Sequence, residues 1–366
     1  MRLLLKVCAA LALALPVVGI ARSAPHAVAP ADGGQRLILV TMDGTRWHDL
    51  FRGPDAALLA DKRFTDPDMK DAVENAWATG PDHGAALMPF LHGTMAHRGV
   101  LYGNRDAGQC LQVANGMWFS YPGYNEILTG RADDAHITSN DKIYNPNVTF
   151  LEWLNRRPGF AGKVAAIGTW DVFPYIINDK RSGIAVNAAF GGRFPTDTLT
   201  MRAAFDTLRT VKPRVLYVGL GDTDELAHIG DYDQYLTAMN RDDDFIAELW
   251  RMAQADPAFR GRTTLIVTTD HGRGTAGGAA WTEHGSARSV EIDPAGFTIP
   301  DKAGFPGSEQ IWLAALGPAV RAAQPVGSQC LHQNQIAASA LVALGQDWRA
   351  FDAGAGAPLP FFAKDR

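Results

Sequence analysis

The sequence of 366 residues has only three cysteines, a small charge imbalance and, past its first two dozen residues, no long apolar run. Each shortage excludes something. A formal net charge of −5 without any long basic run argues against a nucleic-acid polymer as partner, so a small acidic ligand needs a local positive site instead. No later stretch is long and apolar enough to span a bilayer, which leaves the mature chain without a membrane span. There is no internal repeat, and low complexity is confined to "APHAVAPADGG" from Ala24 to Gly34. Cys8 lies in the N-terminal segment, so Cys110 and Cys330 remain as an even pair. A disulfide between them is open, although sequence does not show that the two meet.

What is present describes a globular protein with ample length for a large core: 46% hydrophobic and 20% charged residues. The N-terminus, "MRLLLKVCAALALALPVVGIARSAP", places Arg2 and Lys6 before an apolar stretch broken by Pro16 and then the small-x-small triplet Ala21-Arg22-Ser23. It reads as a secretory signal removed after about Ser23, and the short, Pro-interrupted run argues against an anchor. The expected organisation is a signal over 1–23, a linker over 24–34 and one catalytic domain over 35–366, in a periplasmic or secreted protein. The acceptor pattern "NVT" at Asn147 is a common chance match.

Strand-like segments alternate with helix-like ones. The strand candidates are "RLILVTM" ending at Met42, "KVAAIG" ending at Gly168, "RVLYVGLG" ending at Gly221, "TTLIVTT" ending at Thr269 and "QIWLAALG" ending at Gly317. Each is short and continuously apolar, as strands covered on both faces are. Tyr235, Leu236, Met239, Ile246, Leu249 and Trp250 follow helical spacing, with the acidic run Asp242 to Asp244 read as a solvated face. The alternation predicts an α/β fold: a mainly parallel central sheet sandwiched between helices, with inserted loops or a small cap. A helix is expected at "ALMPFLHGTMAHRG", and His83, His92 and His97 read as loop or surface residues.

Polar residues collect where the strands end. Asp43 follows the first strand directly, and Asp270 with His271 follows "TLIVTT". Taken alone, Asp-His-Gly is an ordinary turn in which the aspartate bonds its own backbone. The third strand, however, runs into "GDTDELAHIG", where Asp224 and His228 stand four apart, a spacing that suits two ligands on one helical turn. Asp222 there reads as turn chemistry. His284 sits in the Gly-flanked loop "WTEHGS". Oxygen and imidazole ligands in this mixture suit zinc or another borderline divalent ion, and six of them divide into two three-ligand sites with open positions. In "WFSYPGYNEILTG" Ser120 precedes a helix start, where free N–H groups face an anion; the plainer role is an N-cap.

The order of these motifs resembles the alkaline phosphatase superfamily: Asp after the first strand, Ser-x-Pro before a helix ending in Thr-Gly, Asp-x-x-x-His-x-x-Gly, Asp-His-Gly, then a late His-Gly. The nucleotide pyrophosphatase/phosphodiesterase branch is the most similar. The match covers about Leu37 to Gly285. The resemblance implies an exported phosphoric ester hydrolase with two divalent ions, zinc by type, and a phosphoseryl intermediate. It implies that Asp43, Asp270 and His271 hold one ion together with the Ser120 oxygen, while Asp224, His228 and His284 hold the other. Asn140 falls near the family's phosphoryl-binding asparagine, and the Tyr121 backbone N–H is a candidate second donor.

Two departures bear on the substrate. Sulfatases of the superfamily need Cys/Ser-x-Pro-x-Arg, and Tyr124 stands where that arginine belongs. Some phosphomonoesterases carry a Lys-x-Arg clamp where this chain has Trp170 and Val172, so the expectation leans toward a small phosphodiester. A phosphomonoesterase is the alternative, then a sulfatase or a metal-binding protein without turnover. Phe119 and Tyr121, beside the nucleophile, are candidates for stacking on a substrate ring, with core packing the plainer role for at least one.

Overall fold

The computed structural model describes residues 34–188, 197–275, 277–321 and 329–362. The expected signal and all but Gly34 of the expected linker lie outside them.

Seven strands form one sheet in the order β2-β8-β7-β1-β6-β4-β5: β1 Arg36–Met42, β2 Val100–Tyr102, β4 Val164–Gly168, β5 Val186–Ala188, β6 Val215–Leu220, β7 Thr263–Thr268 and β8 Leu313–Leu316. β3 Leu111–Gln112 and β9 Leu331–His332 pair separately. The five contiguous strands from β7 to β5 are parallel, while β8 pairs antiparallel with both β7 and β2. All five sequence-expected strands are present. The short β2 and β5 at the sheet margins were not legible, because three residues carry too little periodicity to stand out.

Period-two alternation sends the strand side chains into two cores. Leu37, Leu39, Val215, Tyr217 and Ile266 pack with Tyr124, Ile127 and Leu128 of the helix Ser120–Thr129. Ile38, Val40, Met42, Leu216, Val218, Leu265 and Val267 pack on the other face with Tyr235, Leu236, Met239 and Ile246 of the helix Tyr232–Ala255. Both faces are therefore covered, which is why these strands read as unbroken apolar runs. No helix among the described residues is long and apolar enough to cross a membrane.

Two expectations are corrected here. The segment "ALMPFLHGTMAHRG" is not one helix: Met88 caps a short helix His83–Leu87, and Pro89 leads into a π-helical turn Phe90–Met95. The acidic run is not a solvated face, since Asp242 and Asp243 are buried and only Asp244 is exposed. Asp243 accepts from Phe90 N at 2.7 Å and Leu91 N at 3.0 Å, satisfying the start of that π turn. Burial outweighs those bonds and raises its carboxyl to about 7.

Candidate metal and phosphoryl site

The parallel register brings three strand ends level. Met42 pairs with Leu220 and Thr41 with Thr268, so Asp43, the Gly221 turn and Asp270 leave the sheet side by side at its C-terminal edge. Asp197 fixes the middle exit by accepting from Gly221 N at 2.9 Å and Asp222 N at 2.8 Å. Asp222 itself accepts from Arg241 at 2.7 Å, so it is structural, as its turn reading implied.

Asp270 does not bond its own turn. Its Oδ1 accepts from Gly44 N at 3.1 Å, tying β7 to β1, while Gln333 Nε2 donates to the Asp270 carbonyl at 2.6 Å. Asp43 is held by Tyr124, whose hydroxyl donates to Oδ2 at 2.8 Å. The other oxygens, Asp43 Oδ1 and Asp270 Oδ2, are buried and take no hydrogen bond. Each lies 3.4 Å from His271 Nε2, an ion-pair contact too long for a good hydrogen bond. Burial raises both carboxyls above the ordinary range, and their mutual repulsion with Asp224 adds to it. Clustered, buried and under-satisfied carboxylates are the environment a divalent cation relieves.

His271 is oriented by its own backbone. Nδ1 lies 2.8 Å from Gly272 O, and a carbonyl only accepts, so Nδ1 carries a proton and Nε2 faces the carboxylates. Burial works against the charged ring, but Asp270 and Asp43 outweigh it and carry its pKa from 6.5 up to about 9 in the metal-free chain. Nε2 also lies 3.2 Å from Ser120 Oγ. Ser120 is the first residue of its helix and Phe119 the cap, with no side-chain capping bond. The plain N-cap role is therefore not the one the hydroxyl takes.

The helix Asp222–His228 brings Asp224 and His228 onto one face. His228 Nε2 lies 3.2 Å from Asp224 Oδ2 and 3.0 Å from His284 Nε2, and His284 Nε2 lies 3.6 Å from Asp224 Oδ1. Burial, helped by His271, depresses His284 well below an ordinary histidine. Burial disfavours the Asp224 carboxylate, yet His228 and Arg273 outweigh it and hold it well below the usual range. Two ligand groups gather within 4.8 Å: Asp43, Asp270 and His271, and Asp224, His271 and His284. His271 belongs to both, so the two sets adjoin.

Asn140 reaches the start of the Ser120 helix, but not as expected. Its Oδ1 accepts from Tyr121 N at 3.0 Å, which removes that N–H as a second donor. Because an N–H must meet an oxygen, the bond also fixes the amide flip and leaves the Asn140 NH₂ as the group with protons to give. Phe119 and Tyr121 are buried, and Tyr121 packs in the core and bonds Ile143 O at 2.6 Å. Val172 is buried in the core and Trp170 packs on Tyr124 and Phe173. Asn147 spends its amide on Asn125 and Asp133. His83, His92 and His97 stay outside the site; His92 bonds Leu50 O at 2.8 Å.

Sequence reading named Tyr124 only as standing in place of an arginine, and it did not single out Gln333 or Arg273. Only Tyr124 had a local signal, lying four residues beyond Ser120 on the same helical face.

The whole arrangement is similar to known structures. Over 87% of this chain and 99% of the other, it superposes on murine ectonucleotide pyrophosphatase/phosphodiesterase 5 with a TM-score of 0.52 and 13% identity. The C-terminal periplasmic domain of EcEptC from Escherichia coli gives 0.56 at 11% identity, over 92% of this chain and 89% of that one. A Bacteroides thetaiotaomicron protein of glycosaminoglycan metabolism gives 0.53 at 13% identity, over 91% and 77%. No family model matches the sequence, and no curated protein does either. The fold is thus the alkaline phosphatase-like one, a mostly parallel seven-stranded sheet between helices.

Proposed function

We propose that this chain is an exported two-metal hydrolase of the alkaline phosphatase superfamily, acting on small phosphodiesters with Ser120 as nucleophile. One observation carries the reading: a buried serine hydroxyl at a helix start, not used as a cap, 3.2 Å from His271 Nε2 and beside under-satisfied Asp43 and Asp270. Two zinc ions, one held by Asp43, Asp270, His271 and Ser120 and the other by Asp224, His228 and His284, would supply the Lewis acidity that makes a serine alkoxide accessible and neutralises the departing oxygen.

The chain's own groups do the rest. Ser120 Oγ gives its proton to solvent and attacks phosphorus in line, the bond to the leaving oxygen breaks as that oxygen takes a proton from water, and a phosphoseryl ester remains for water to hydrolyse. The Asn140 amide, its oxygen fixed by Tyr121 N, donates to a non-bridging oxygen as charge builds there. Tyr124 and Gly44 hold Asp43 and Asp270 in place throughout. A pure metal-binding protein has no use for such a hydroxyl.

The preference for diesters rests on Trp170 and Val172, which put an aromatic ring and a buried aliphatic side chain where a monoester clamp needs two cations. Lys142, two residues beyond Asn140, is paired with Asp171 at 2.5 Å. Tyr124 bonded to Asp43 weighs against a sulfatase. Murine ectonucleotide pyrophosphatase/phosphodiesterase 5 was also solved as an inactive variant with AMP, a ligand class in keeping with this reading. The Cys110–Cys330 disulfide accords with export to an oxidising compartment.

The test is turnover of bis-p-nitrophenyl phosphate against p-nitrophenyl phosphate by zinc-loaded protein. The diester is expected to be the better substrate, and Ser120→Ala to lower turnover of both by about a thousandfold or more while still binding zinc. Wild-type rates in Ser120→Ala would remove the serine from the mechanism; a monoester preference would overturn the diester assignment alone.

A further inference from the structure

The two ligand sets are alike in residue type but not in charge. Asp43 and Asp270 face one point with two carboxylates, whose leftover oxygens meet His271 of the same set at 3.4 Å each and, among the described residues, hydrogen-bond no arginine or lysine. Asp224, the single carboxylate of the second set, is already bonded on Oδ1 by the guanidinium of Arg273. That guanidinium is fully buried, its Nε donating to Trp281 O at 2.8 Å and its Nη2 to Thr282 O at 2.6 Å. It is therefore a fixed positive charge rather than a mobile side chain, held by the segment that leads into His284. Gly44 makes the room: it sits at φ +60, and a Cβ there would come within 2.6 Å of Arg273 Nη1 and 2.4 Å of Asp224 Oδ1. Other acids lie nearby: Glu283 is 3.9 Å from the far nitrogen of His228, and Glu225 on the same helix interacts with Asp224 and His228.

We propose that Arg273 makes the two cation sites unequal by neutralising Asp224, so that the Asp224–His228–His284 site holds its ion far more loosely than the Asp43–Asp270–His271 site. The inference rests on the two-metal reading above. A bound dication is repelled by a buried like charge across the shared carboxylate, whereas the first site offers two carboxylates and no buried guanidinium. Arg273 is a positioning residue, and its second effect is to leave Asp224 Oδ2, the oxygen beside His228, as the one open to an ion.

The experiment is zinc titration of the chelator-stripped full chain by calorimetry, with binding rather than turnover as readout. Two steps are expected, separated by about tenfold or more in Kd. His284→Ala should abolish the weaker step alone and Asp43→Asn weaken the tighter one. Arg273→Gln should tighten the weaker step by about tenfold, while Arg273→Lys, which keeps the charge, should leave it within about threefold. Two equal steps, loss of the tighter step in His284→Ala, or a weaker step unmoved or loosened in Arg273→Gln would overturn the inference while leaving the two-metal reading intact. Absence of any zinc binding would remove that reading itself. Should Arg273→Gln fail to fold, the His284→Ala assignment in the wild-type background decides the matter.

Discussion

At the scale of single residues, the site depends on side chains that touch no substrate. Tyr124 is a buried hydroxyl whose burial, together with Asp270 and Asp43, raises its pKa well above that of a free tyrosine, so it stays a donor to Asp43 Oδ2. Tyr124→Phe removes that donor and leaves an aspartate oxygen bare. The expected result is a loss of about 10–100-fold in zinc affinity or kcat/KM, with the fold retained, since such outer partners orient ligands without making the core. A calorimetric zinc titration and far-UV circular dichroism check the two halves of the statement.

His271 gives a second prediction at this scale. Its pKa in the folded metal-free chain is about 9, raised from 6.5, so the folded state binds more protons than the unfolded state between those values. The stability from that proton is complete below pH 6.5 and is lost as pH rises through about 9. Asp43 and Asp270, also raised, act in the same direction. The thermal midpoint of the metal-free protein should therefore fall between pH 6.5 and 9, and saturating zinc should flatten the fall by replacing the proton. A midpoint that rises over that range would contradict the assignment of His271 to the carboxylate cluster.

At the scale of elements, the helix Ser120–Thr129 sets Ser120 against the β7 exit. It lies directly on the β7 exit: a Cβ at Gly123 would come within 2.4 Å of the Asp270 carbonyl oxygen. A backbone oxygen cannot rotate away as a side chain can, so the helix must retreat. Gly123→Ala is expected to destabilise the protein by about 1–3 kcal/mol and to displace Ser120 Oγ from His271. Urea unfolding and turnover should both register it, whereas Gly93→Ala, with open space around it and no positive φ, should alter turnover little.

The same helix shows what local sequence could convey. Ser-x-Pro before an apolar stretch ending in Thr-Gly marks a helix start, and Gly130 at φ +77 closes it as expected of a C-terminal glycine. Whether Ser120 capped that helix or faced a ligand was not a local question. It was decided by His271, 151 residues away.

At the scale of the molecule, Cys110 and Cys330 join segments 220 residues apart in sequence, at the start of β3 and of β9. β9 is followed at once by Gln333, whose amide holds the Thr269 and Asp270 carbonyls. The disulfide thus braces the exit of β7 from outside. Replacing both cysteines by serine should lower stability by about 2–5 kcal/mol, measured by denaturant unfolding. A stability unchanged by that double substitution would show that β3 and β9 pair without the crosslink.

Much of this molecule was determined by its sequence alone. A strand buried on both faces must be apolar throughout, so the three site-bearing strands announced themselves, and the polar residues ending them stood out against that background. Asp43, Asp224 with His228, and Asp270 with His271 were legible for that reason, and their order along the chain gave the fold. Direction and depth were not. The antiparallel setting of β8, the burial of Asp242 and Asp243, and the meeting of Cys110 with Cys330 depend on which segments pack together, and nothing local distinguishes the outcomes. Arg273 is the clearest case: in the sequence it is one arginine among glycines, and only the folding of 224, 281 and 282 around it makes it a buried charge beside Asp224.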